Sequence, residues 1–187
     1  MRLLTHSVVV CTARGAQDQS PRAMTMSSFT SLSLRPTPVV TFNIATPSRT
    51  LDALDETKEF NIHVLAGDAS GAKVADWFRR GNAQPLHVFD HLDACDCKLD
   101  EAQGSTQYPS SVAPLLRGPG IMYVLRCKLL EEPLGGVVKV KDHVIVLGEV
   151  LEILEGQTTD EQNQERFSLM YADRRYRQLG DVMTPKA

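Results

Sequence analysis

Two stretches combine residue types that suit chemistry. In the first, running from Ala23 to Leu34, hydroxyl residues stand at Thr25, Ser27, Ser28, Thr30, Ser31 and Ser33. Small side chains let backbone N–H and C=O groups approach the edge of a flat polar ligand, and hydroxyls add adaptable donors and acceptors. The plainer reading is a strand that ends in a Ser/Thr-rich turn. The second stretch, Pro47-Ser48-Arg49-Thr50, stands directly before a helical pattern at Leu51. Two hydroxyls, a guanidinium and the free N–H groups of a helix start are the ingredients of a phosphate site. Its plainer reading is Thr50 as helix cap beside a solvated Arg49.

Other reactive side chains carry less. His143 follows Asp142 and opens an apolar run; it is either a strand-entry histidine bonded to backbone or a side chain facing a second substrate. Tyr171 either packs or lines a ligand. His6, His63, His87 and His91 lack metal-ligand spacing, so no metal site is expected. Cys95-Asp96-Cys97 matches neither a zinc nor a thioredoxin motif, and scattered cysteines suit a reducing compartment. Gly118-Pro119-Gly120 lacks the third glycine and the strand–helix context of a dinucleotide fingerprint. Arg174, Arg175 and Arg177 form a basic cluster that is either solvated or attracts an anionic cofactor.

These residues need a scaffold. The 187 residues, 42% hydrophobic and 23% charged, suit one folded domain over residues 1–187 and exclude a disordered or coiled-coil chain. A net charge of −3 argues against nucleic acid, whose phosphates demand a basic field. No apolar run reaches the ~18 residues of a membrane helix. The start faintly resembles a signal peptide, but Thr5, His6 and Ser7 interrupt its apolar region, so a cytoplasmic protein is expected and an organellar address stays open. Strand patterns fall at Ser7 to Ala13, Ala23 to Met26, Pro38 to Ala45, Phe60 to Val64, Ile121 to Leu130, Val137 to Lys141, His143 to Leu154 and Phe167 to Tyr171. Helical patterns cover Leu51 to Lys58, capped by Thr50, and Ser70 to Arg80, where Val74 and Phe78 share a face and Gly81 marks the stop. Asp90 to Arg117 and Gly156 to Arg166 read as polar excursions. Strands dominate without strict strand–helix alternation, which points to a mainly β, antiparallel barrel with short helices.

Taken in order, Ala23 to Val40, Ser48 to Leu51, Phe60 to Leu65, the Asp142-His143 strand, and Leu169-Met170-Tyr171 with Arg175-Tyr176-Arg177 closely resemble the flavin reductase-like family. The resemblance runs from about Thr5 to Leu179 and implies an FMN-binding split β-barrel, a homodimer, and in many members a monooxygenase partner. It implies that Thr25, Met26, Ser27 and Ser28 hold the isoalloxazine edge through backbone groups, and that Ser31 and Ser33 face the ribityl chain or phosphate. It further implies that Ser48, Arg49 and Thr50 bind the phosphate, that Tyr171 is a candidate for the ring wall, and that His143 is a candidate for the nicotinamide side. FMN is the expected cofactor, with FAD as the other option and NADH or NADPH as reductant. The segment Glu131 to Lys141 is longer than the family's usual link into the Asp-His strand, which bears on the substrate side.

In such a protein flavin and nicotinamide carry the electronic work. The chain would bring the two rings to roughly 3–3.5 Å and keep them parallel. Two functions follow: an NAD(P)H:flavin oxidoreductase, or a flavin-binding module that acts as carrier, sensor or partner subunit without turnover.

Overall fold

The computed structural model describes residues 2–80, 88–100, 113–132, 134–156 and 166–183. In chain order the elements are β1 (His6–Ser7), β2 (Val9–Arg14), β3 (Pro21–Met26), β4 (Thr30–Ser33), β5 (Val39–Ala45), α1 (Arg49–Thr57), β6 (Glu59–Leu65), α2 (Ala69–Arg80), β7 (Lys98–Leu99), β8 (Leu116–Arg117), β9 (Ile121–Leu129), β10 (Val137–Val140), β11 (His143–Glu155), β12 (Met170–Ala172) and β13 (Arg175–Arg177). The main sheet runs β3-β2-β6-β9-β11-β5-β4, with β10 added beside β11. Its pairings are all antiparallel. The described residues are mainly β, with two α-helices and a curled antiparallel sheet, as the strand-rich pattern predicts.

The curl is fastened where the ends of the sheet approach each other. Ser28, just past β3, donates its hydroxyl to the Asn43 carbonyl of β5 at 3.1 Å and accepts from the Asn43 N–H at 3.1 Å. The chain thereby links β3, at one edge, to β5, next to the other edge.

The apolar run Val8 to Cys11 is buried on both faces of the sheet. Val9 and Cys11 pack inside the curl with Phe42, Leu54, Phe60 and Ile62. Val8 and Val10 join Leu65, Val74, Phe78 and Leu116 on the other face, under α2. Phe42 and Phe60 meet edge to face, centroids 5.5 Å apart, a geometry that aromatic quadrupoles favour.

Four expectations change. The first strand breaks at Val8, because His6–Ser7 pairs with β12 while β2 pairs with β3 and β6. The Ser/Thr-rich turn contains a strand, β4, with a bulge between Ser31 and Ser33. The strand expected over Phe167 to Tyr171 spans Met170–Ala172, and a further strand, Arg175–Arg177, follows it. Thr50 is not the cap of α1: Ser48 has the extended backbone of an N-cap (φ −147°, ψ 118°) and its hydroxyl accepts from the Leu51 N–H. Of the two excursions, Asp90 to Arg117 holds a 3₁₀ turn at Leu92–Cys95 and the β7–β8 pair. Residues 101–112 and 157–165, and with them much of both excursions, lie outside the described residues, as do Gly81 and His87.

Candidate functional site

The start of α1 is set by Ser48. Its hydroxyl accepts from Leu51 N at 3.3 Å and its carbonyl from Asp52 N at 3.0 Å. The amides of Arg49 and Thr50 have no intrahelical partner, as for any first turn. The Leu51 and Leu54 side chains anchor the helix in the core. Ahead of it, Thr46 N and Oγ1 both donate to the Asp142 carbonyl, at 2.8 and 3.1 Å. The approach to the helix is thus tied to the β10–β11 turn.

A cavity of about 460 Å³ opens at this point. Its walls are Ala23 and Met24 of β3, Ile44 and Ala45 of β5, Pro47 to Thr50 with Asp52, and Val88 with Phe89. Thr50 is 4% exposed, lines the cavity, and its hydroxyl has no hydrogen-bond partner among the described residues. Arg49 is exposed and likewise has no ion pair among them. The Thr50 hydroxyl, two amides without intrahelical partners and a guanidinium with no ion pair among the described residues, at the positive end of a helix, are suited to an oxyanion. Arg22 joins the rim; its Nη2 is held 2.7 Å from Asp18 Oδ2.

The ring-edge candidates lie one step along the same strand. Thr25, Met26 and Ser27 line a second, shallower hollow of about 200 Å³ with Val8, Tyr171 and Tyr176. The Thr25 hydroxyl donates to the Ala75 carbonyl of α2 at 2.7 Å. Tyr171 and Tyr176 meet edge to face at 5.7 Å. Burial, and then the Asp76 charge, raise the Tyr176 pKa, so its hydroxyl is protonated at neutral pH. Among the described residues β3 pairs only with β2, so its outer edge offers backbone N–H and C=O groups beside these residues.

The structure therefore gathers Ser48, Arg49 and Thr50 at one cavity, and Thr25, Met26, Ser27 and Tyr171 at another. Ser28 ties strands together. Ser31 is exposed on β4, and the Ser33 hydroxyl donates to the Arg35 carbonyl at 2.8 Å. His143 lines neither cavity. It stands opposite Ala45 across the β5–β11 ladder, its Nδ1 3.0 Å from Asp142 Oδ1. That bond, above all, lowers the Asp142 pKa. The sequence reading missed Arg22, Asp52, Val88 and Phe89. Arg22 had one signal, an acid four residues earlier in a Gly/Ser-bounded turn. Val88 and Phe89 had none, since only tertiary folding brings them to the cavity. Among the described residues no cluster of three or more His, Cys, Asp or Glu side chains is placed to hold a metal ion. No described helix is long and apolar enough to cross a membrane.

Residues 1–180 match the family described as the flavin reductase like domain. The chain belongs to that family. The NADH:FAD oxidoreductase SgcE6 of Streptomyces globisporus C-1027 is 26% identical, with 97% of this chain and 89% of that one covered at a TM-score of 0.70. The same enzyme in complex with NAD and FAD fragments matches at 25% identity, 95% and 87% coverage and a TM-score of 0.66. BorF, the flavin reductase component of a bacterial two-component tryptophan halogenase, is 25% identical over 97% of this chain and 94% of its own, TM-score 0.67.

Proposed function

We propose that this chain is an NAD(P)H:flavin oxidoreductase that passes hydride from a reduced nicotinamide to a flavin and supplies a monooxygenase-type partner with reduced flavin. One observation carries the reading: Ser48, Arg49, Thr50 and the α1 N-terminus converge on one cavity, where neither Arg49 nor the Thr50 hydroxyl has a partner among the described residues. The residues fit the FMN moiety, which FMN and FAD share. Its phosphate would take the Arg49 and Thr50 amides, the Thr50 hydroxyl and the Arg49 fork. The ring edge would meet the free backbone edge of β3 at Thr25 to Ser28, with Tyr171 beside it.

When bound, flavin supplies the two-electron chemistry. The chain's own part is placement. Thr25 is fixed by α2 and Ser28 by β5, so the backbone between them is held rigid. The Asp142–His143 pair, fastened to Thr46, is a positioning or contact group for the nicotinamide. Apolar Val140 and Ile145, 47% and 37% exposed, flank His143 in the ladders and support a homodimer across that face. The free, reduced cysteines suit a cytoplasmic setting.

The test is a visible spectrum followed by NADH and NADPH oxidation assays with and without FMN or FAD. The expected result is nucleotide oxidation that depends on flavin. Flavin binding with no oxidation of either nucleotide, even with an artificial acceptor, would instead assign the chain to the carrier or sensor class.

A further inference from the structure

Arg79 of α2 reaches the hollow beside Thr25, Met26 and Ser27, and it is the only charged side chain among the residues lining that hollow. Its place is set from two sides. The Thr25 hydroxyl holds the Ala75 carbonyl at 2.7 Å, and Arg79 follows Ala75 by four residues, one turn further along the same helix face. Arg79 Nε and Nη2 both donate to Asp76 Oδ1, at 3.2 and 2.7 Å, and neither bond uses Nη1. Arg80 takes the other oxygen of the same carboxylate, at 3.1 and 2.5 Å, and does not line the hollow. One carboxylate thus faces two guanidiniums, which leaves positive charge at the rim. The Tyr176 hydroxyl lies beside Arg79 and adds a donor without adding charge. Two basic residues in the last turn also suit the negative end of a helix. That accounts for their number, but not for the entry of one of them into the hollow.

We propose that Arg79 stabilises the negative charge a flavin acquires on reduction, so that the chain holds reduced flavin more tightly than oxidised flavin. The proposal rests on the reading that the ring edge lies along Thr25 to Ser28. A strand edge of N–H and C=O groups pairs with the polar pyrimidine side of the isoalloxazine, not with its dimethylbenzene side. Hydride transfer breaks the C4–H bond of the nicotinamide and forms an N5–H bond on the flavin. NADH and neutral oxidised flavin give NAD⁺ and the anion of reduced flavin, with no other reactant. The electron pair leaves its negative charge on the N1–C2=O end of the pyrimidine side. A cation fixed at the rim attracts that charge and gains little from the neutral ring. Its stabilisation is therefore differential, which is the kind that assists the step.

The test measures two quantities on the full chain and on Arg79→Gln, Arg79→Lys and Arg80→Gln. Fluorescence titration gives the affinity for oxidised flavin. Anaerobic equilibration with a redox dye gives the midpoint potential of the bound flavin, and its shift from free flavin gives the ratio of reduced to oxidised affinity. The expected result is a potential above that of free flavin. In Arg79→Gln the ratio should fall about tenfold, the low end for a charge-assisted hydrogen bond, which is about 30 mV for a two-electron couple. Arg79→Lys should keep most of the ratio, and Arg80→Gln should leave it unchanged. A ratio unchanged in Arg79→Gln would overturn the proposal and leave the ring-edge reading intact, and so would a potential at or below that of free flavin in the unmodified chain. Equal falls in Arg79→Gln and Arg80→Gln would reduce both to fastenings of α2 and overturn it too. An unmodified chain that binds neither FMN nor FAD would overturn the ring-edge reading and the proposal with it.

Discussion

In the proposed site Arg49 would supply a charge, and Thr50 a hydroxyl and an amide at the positive end of α1. Arg49→Ala is expected to weaken flavin by about 1.5–3 kcal/mol, the scale of a charge-assisted hydrogen bond; equal affinities by fluorescence titration would remove Arg49 from the site. Thr50→Val keeps the shape and deletes the hydroxyl. Because that hydroxyl has no partner among the described residues, its loss should cost flavin affinity about 0.5–1.5 kcal/mol with little change in thermal midpoint. His143 is proposed for a different step, at the nicotinamide. His143→Ala should slow flavin reduction in a single turnover more than it weakens flavin binding, and an unchanged rate would leave the Asp142–His143 pair a fastening of the β10–β11 turn.

The elements differ in how far their residues announce them. Helices α1 and α2 were legible because Leu51 with Leu54, and Val74 with Phe78, keep one buried face. Strands β5, β6, β9 and β11 were legible from apolar density bounded by polar residues. β4 was not, because Thr30, Ser31 and Leu32 are exposed on an edge, where no burial imprints an alternation. The phosphate segment was legible as chemistry, while the cap was misassigned by two residues since Ser48 and Thr50 are equally good capping types. The division of the candidate site between two cavities was not legible at all. The two cavities lie at successive positions along the chain, Ala23 and Met24 on the first and Thr25 to Ser27 on the second, and their other walls, Val88 with Phe89 and Tyr171 with Tyr176, are brought there only by tertiary folding. The double duty of Ser48 makes a test at this scale. Ser48→Ala should destabilise the fold by about 0.5–2 kcal/mol through the lost cap. Ser48→Asp should restore the thermal midpoint, since aspartate caps well, yet still lose flavin by placing a carboxylate beside its phosphate. A flavin affinity that recovers with stability would reduce Ser48 to a cap. Gly71 of α2 sits against the Ala66 carbonyl, with no room for a Cβ; Gly71→Ala should therefore lower the melting temperature by displacing α2 from the sheet.

At the scale of the whole molecule, buried His63 joins three separate segments. Its Nδ1–H donates to the Val10 carbonyl at 3.2 Å and its Nε2 accepts from the Leu116 N–H at 3.0 Å, which requires the neutral ring. Burial, above all, pulls its pKa from 6.5 to about 4. As pH falls through 6.5 the unfolded chain takes up the proton first, so stability is intact above that value and declines until the folded ring protonates near pH 4. The loss over this window is roughly 3 kcal/mol. Urea midpoints between pH 7.5 and 4.5 should follow it, and a flat profile across the window would remove His63 as its source. The open flank of β3 has a bearing on solubility. Its counterpart β4 is bulged and short, whereas β3 runs six residues with no bulge and, after Pro21 and Arg22, carries no charge. A straight, uncharged strand edge invites pairing with another copy. Ligand seated along Thr25 to Ser28 would act as a shield, so the flavin-free protein should be the form that clouds on warming, and added flavin should delay the rise in light scattering.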